Sequence, residues 1–268
     1  MAEDTRRQDR RSGAALILFV AVQLAYLLFN AGLDASAPAL DAPVAEWRAL
    51  LRERSIALIL RWDSLIPVAN FVMLLVPGSL GLRRRLVRGP SKGTLWPDLA
   101  VAGTMLVTTT VFITSVTYAV LGLVPPDELS DAVLRATVIA NAYAIFGIGS
   151  LAVALFLGAA SAAILQLERS PRWLAWWGIV TSAVSIAGTV WLVSADFDGP
   201  LFGLNVVGRG SFLAWVTATG LWLLLAPPAA SVATSATRAA SETSYVPSRS
   251  EFLESSRTRA DWYTTTAP

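Results

Sequence analysis

Six stretches of the chain, roughly 14–33, 63–82, 99–124, 136–167, 173–194 and 204–226, are apolar over about 20 residues or more. A helix rises 1.5 Å per residue, so about 20 residues cross a hydrocarbon layer ~30 Å thick. No stretch alternates with a period of two, which argues against a strand barrel. The fold class this predicts is all-α: a polytopic membrane protein with six transmembrane helices. Only 15% of the residues are charged, against roughly 25% in soluble domains, so a water-soluble core of this size is excluded.

The links between the apolar stretches set an orientation. Arg6, Arg7, Arg10 and Arg11 precede the first. Arg83, Arg84, Arg85, Arg88 and Lys92 follow the second, and Arg169 and Arg172 follow the fourth. The alternate links are acidic, "PPDELSD" at 125–131 and "SADFDGP" at 194–200. Basic links face the cytoplasm, so both termini are expected there, and the localisation expected is a cell membrane crossed several times. The division that follows is a basic N-terminus at 1–13, a six-helix domain at 14–226 and a cytoplasmic tail at 227–268. The tail is rich in Ser, Thr, Ala and Arg and is expected to be disordered.

The first stretch resembles a signal peptide core, with "ASA" at 35–37 as a cleavage site. Its length and the proline at position 38 favour an uncleaved span. Trp173, Trp176 and Trp177 at the start of the fifth stretch, and Trp191 near its end, read as interfacial belts. Residues 41–60 read as an amphipathic helix on the outer surface, capped by Asp41, with Val44, Trp47, Leu50, Leu51 and Leu58 on one face.

The chain has no histidine and no cysteine. That removes imidazole bases, thiolate nucleophiles, disulfides and His- or Cys-ligated metals. No pair of aspartates faces one another within the spans, and no Gly-rich phosphate loop or carboxylate cluster with metal-ligand spacing is present. No catalytic residue, metal or cofactor is therefore assigned. No basic stripe or RNA-binding signature appears, so nucleic acid is not a partner. The partners that remain are the lipid bilayer, another membrane protein or a second copy of the chain.

Three groups of residues are candidates for a role. Thr110, Thr114, Thr117 and Tyr118 share one face of the third stretch and could line a polar cavity, although a threonine also bonds readily to its own helix. Ser150, Ala154, Gly158 and Ala162 form a ladder of small residues that admits a close helix, in the bundle or in a homodimer. Charges in the spans are costly and usually have a role. Counting back from Leu225, Arg209 sits about 24 Å from the inner end of the sixth stretch, just below the outer boundary. Asp63 reaches similar depth. Asp63 is therefore expected to pair with Arg209 or Arg135 at the outer mouth. Arg61, Asn141, Asp196, Asp198 and Asn205 lie toward the same side.

The segment 158–193, "GAASAAILQLERSPRWLAWWGIVTSAVSIAGTVWLV", resembles a hairpin of uncharacterised six-helix bacterial membrane proteins, many from GC-rich actinobacteria. In these, a small-residue-rich helix ends in a basic turn followed by Pro-Arg-Trp-Leu-Gly-Trp. Here Ala175 stands where glycine is common. The resemblance implies a bacterial inner-membrane protein and transfers no site residues. Two function classes follow. One is a non-catalytic structural, regulatory or accessory membrane component. The other is a small transporter or a ligand- or lipid-binding protein using the threonine stripe.

Overall fold

The computed structural model describes residues 2–88, 93–167, 170–190 and 200–225, with the side chains of Ala2, 31–36 and Leu201 left aside. Among these residues every regular element is helical. The order is α1 (Ala2–Ser36), α2 (Val44–Leu51), α3 (Arg54–Asp63), α4 (Ile66–Asn70), a π-helical turn (Phe71–Leu75), α5 (Val76–Val87) and α6 (Trp96–Leu123). Then follow α7 (Asp131–Ala142), a second π-helical turn (Tyr143–Ile148), α8 (Gly149–Leu165), α9 (Arg172–Gly188) and α10 (Pro200–Leu225).

Four helical runs are long and apolar enough to cross a membrane: Glu3–Asn30, Arg54–Val87, Trp96–Leu123 and Asp131–Leu165. They cover most of each of the first four apolar stretches. The fifth forms α9, only 17 residues long as described, and the sixth forms α10, whose apolar run Arg209 interrupts. Trp191, Asp196, Asp198, Lys92, Arg169 and the tail at 227–268 lie outside the described residues.

Helix boundaries differ from the expected ones for identifiable reasons. The basic N-terminus is not a separate segment, because α1 runs unbroken through it. The expected amphipathic helix over 41–60 is split at Arg52–Glu53, and its second half, α3, leads into the second long run. Asp41 does not cap it; Pro43 occupies the N-cap position and no side chain caps. Leu51 is buried on the predicted face, whereas Leu58 is exposed. The first π turn lies just before Pro77. A proline has no N–H for the carbonyl four residues back, and a wider turn accommodates the break.

Glycines set the closest helix approaches. A Cβ on Gly103 of α6 would lie 2.6 Å from the backbone nitrogen of Phe156 on α8. A Cβ on Gly178 of α9 would lie 2.0 Å from Ser161 Oγ and 2.6 Å from Trp215 Nε1. Small residues are what bring helices together where lipid competes for apolar contact. Around these crossings sits one apolar cluster including Leu16, Phe19, Leu75, Phe156, Leu157, Phe212 and Trp215. Trp215 is wholly buried and spends its only donor on Leu174 O, 2.8 Å away.

A second cluster joins Leu51, Ile56, Leu60, Leu121, Leu129, Leu134 and Val138. It seats α2 and α3 against the ends of α6 and α7. Arginines fasten this cap. Arg48 bonds Pro126 O at 3.1 Å and Leu129 O at 2.6 Å and pairs with Asp131 at 2.9 Å. Arg52 bonds Asp127 and thereby holds that carboxyl below its ordinary range.

Candidate functional site

The site is centred on α10, where Phe202, Asn205 and Arg209 recur at i, i+3 and i+7 and so share a face. That face is applied to the second π turn. Phe202 meets the Phe146 ring edge-on, with centroids 4.9 Å apart. Asn205 Nδ2 donates to Phe146 O at 2.7 Å, and Arg209 Nη2 donates to Ile145 O. The guanidinium carbon lies 4.5 Å above the Phe146 ring centroid.

The π turn explains why those carbonyls are available. In a π turn each N–H reaches back five residues, not four. Here Gly149 N–H bonds Ala144 O. The shifted ladder opens lateral approaches to Ile145 O and Phe146 O, and α10 fills them with two side-chain donors.

The remaining polar atoms interlock. Asn205, 1% exposed, exchanges hydrogen bonds with Ser150 at 3.0 and 3.2 Å. Its Oδ1 also accepts from Arg209 Nε at 3.1 Å. Gly149 stands between the two candidate groups: a Cβ there would lie 3.5 Å from Thr110 Cγ2 and 3.9 Å from Arg209 Nη2.

The expected Asp63 pairing is not formed. Asp63 is buried and accepts a hydrogen bond from Asn30 on α1 at 2.9 Å. Among the described residues no ion pair joins it to Arg209 or Arg135. Similar depth does not fix azimuth. Asp63 ends α3 and faces α1, whereas Arg209 faces the π turn. Arg135 is exposed at the rim of a small depression with Leu40, Val44, Trp47 and Leu134.

The threonine stripe turns inward on its own helix. Thr110 bonds Leu106 O and Thr114 bonds Thr110 O, each at 2.9 Å. Thr117 shares its one proton between Thr114 O at 2.6 Å and Asn141 Oδ1 at 2.7 Å. Tyr118 packs beside the second apolar cluster.

The small-residue ladder faces helices of the same chain. Ser150 meets Asn205 of α10, and Ala154 O accepts from Ser182 Oγ of α9 at 2.8 Å. Gly158 lies against the same serine, while Ala162 is partly buried. The close helices that seat on this ladder thus come from within the chain, leaving a homodimer through this face without room at Ser150, Ala154 and Gly158. Trp173 and Trp176 are exposed as a belt requires, but Trp177 departs from it by donating to Ser211 at 2.9 Å.

Sequence reasoning missed a buried pair at the other end. Asp9 of α1 accepts from Arg85 of α5 at 2.9 Å, with Arg88 3.5 Å away and Arg85 stacked 4.8 Å over Trp222. The signal was a lone acid inside "RRQDRR". It also missed the pairing of Asn205 with Arg209, whose i, i+4 spacing places both on one helix face. Asn70, bonded to Phe19 O and Gln23, was missed as well. Comparison of the chain with protein-family models, with curated proteins and with solved structures returns no match.

Proposed function

We propose that this chain is an integral membrane protein of six spans with both termini cytoplasmic, acting as a non-catalytic structural or accessory component. The bacterial inner membrane is the location its 158–193 segment suggests. The observation that carries the reading is where the buried hydroxyls go. Thr110 and Thr114 donate to carbonyls of their own helix. Groups spent this way have little left for a polar solute. A transporter with a threonine-lined cavity is the alternative. A membrane protein bound at the cap or the tail, or a second copy, is the partner proposed.

Two measurements test this. The chain has no cysteine, so single cysteines report topology directly. Asp127→Cys is expected to react with an impermeant maleimide on intact cells, and Arg10→Cys and Lys92→Cys only after permeabilisation. The inverse pattern rejects the orientation. Native mass spectrometry of protein extracted in lipid discs tests the role. A stoichiometric protein partner or second copy, retained in Thr110→Val/Thr114→Val, supports the accessory reading. A monomer carrying a small solute that this double variant loses supports the transporter.

A further inference from the structure

The guanidinium of Arg209 is fixed but not neutralised. It is held by two neutral oxygens, Ile145 O and Asn205 Oδ1, and by the face of Phe146. No carboxylate pairs with it among the described residues, and its Nη1 makes no hydrogen bond there. A charge in a low-dielectric surround without a counter-ion is costly, and such residues mark ligand or ion sites. The acceptors that orient the group are weak compensation for a full charge, so the planar fork is pre-set for an anion it does not yet have.

Depth says which anion. Along α10, Arg209 is sixteen residues, about 24 Å, from Leu225. Independently, its acceptor Ile145 is twenty residues, about 30 Å, from the end of α8 at Leu165. The first count leaves the Arg209 Cα about 6 Å inside the far edge of a ~30 Å hydrocarbon layer and the second puts its acceptor at that edge, within an arginine side chain's reach of the headgroup phosphates. Arg61, exposed and bonded through Nε to Gly122 O at 2.8 Å, adds a second cation at this end, one turn of α6 beyond Tyr118. Asp63 is turned to Asn30.

We propose that Arg209, seated on the second π turn, binds a phosphate group, presented by an anionic phospholipid of the outer leaflet. This rests on the spanning arrangement proposed above. The test uses purified full-length protein in a neutral detergent, titrated with phosphatidylglycerol, phosphatidylcholine or inorganic phosphate. Native mass spectrometry and thermal stability are the readouts. One phosphatidylglycerol is expected to bind and raise the melting temperature. Arg209→Gln should bind it about tenfold more weakly, the worth of one charge-assisted hydrogen bond. Arg209→Lys keeps the charge but loses the fork, and should fall between.

Stabilisation of the wild type by inorganic phosphate alone, absent in Arg209→Gln, keeps the phosphate site and reassigns its source to a soluble phosphate. Equal binding of phosphatidylglycerol by wild type and Arg209→Gln overturns the proposal. If the glutamine variant does not fold, equal binding by Arg209→Lys overturns it instead. Cysteine labelling at position 127 is read separately. An inverted pattern defeats the topology, while equal lipid binding with the expected pattern defeats only the site.

Discussion

Asn205 and Thr114 are both polar residues buried among helices, yet they should differ sharply on mutation. Asn205 joins α10 to the second π turn through Phe146 O and to α8 through two bonds exchanged with Ser150, and on its own helix it accepts from Arg209. Hydrogen bonds between helices in lipid average about 0.6 kcal/mol each, so three of them amount to roughly 2 kcal/mol. Asn205→Leu should therefore lower the melting temperature in detergent by several degrees and loosen Arg209. Thr114 serves only its own helix, at Thr110 O. Thr114→Val should be nearly neutral, because a valine leaves that carbonyl with its backbone partner. Equal melting temperatures for the two variants would contradict this assignment of roles.

At the level of helices, α9 meets α8 and α10 in a tight seam. Gly178 is pressed by Ser161 Oγ and Trp215 Nε1, and the tryptophan is itself tied to Leu174 O. Trp215 cannot retreat without breaking its bond to Leu174 O. Gly178→Val should cost about 3 kcal/mol or more through overpacking. Gly210, with nothing within 4 Å of its would-be Cβ, sits in the exposed part of α10. Gly210→Ala should stabilise by up to roughly 1 kcal/mol, since alanine restricts the unfolded chain. Urea or detergent denaturation of the two variants side by side checks both signs.

Across the whole molecule, the Asp9–Arg85 pair ties the first helix to the second long run, and both side chains are nearly inaccessible, at 7% and 9%. Removing one partner of a buried pair commonly costs 3–5 kcal/mol. Asp9→Ala should cost about 3 kcal/mol or more, since it takes the acid from Arg88 as well as from Arg85 and leaves Trp222 as a contact of the Arg85 guanidinium. Asp9→Ala with Arg85→Leu should recover part of the loss. Proteolysis of the N-terminal turns, faster in the single variant than in the double, is the measurement.

The long apolar helices were legible because a hydrocarbon layer imposes a length and a hydropathy that any sequence must meet. Asp63 and Arg209 were legible as residues and not as a pair. Depth follows from counting along one helix, whereas a contact needs the rotation of two. The ladder at Ser150, Ala154 and Gly158 was visible as a close-packing face, but which helices fill it depends on tertiary order. The second π turn left no mark that could be read. No proline follows it within the helix as Pro77 follows the first, and "NAYAIFGIG" has the look of an ordinary apolar helix.

That π turn also sets a phase. A wide turn is a helix carrying one residue more than its regular count. Each residue of an α-helix advances by about 100° around the axis. Delete one residue between Tyr143 and Ile148 and the turn can close to regular α-helix with α7 and α8 keeping their present alignment. The chain would keep its bundle while Ile145 O and Phe146 O withdrew into the backbone ladder. Insert or delete a residue between Ser150 and Ala154 instead, and Ser150 turns about 100° away from the face that Ala154 and Gly158 share, so the ladder cannot keep all its partners. The six residues at 143–148 are thus where the fourth long run can absorb a change in length, and the cost of absorbing it falls on Asn205 and Arg209.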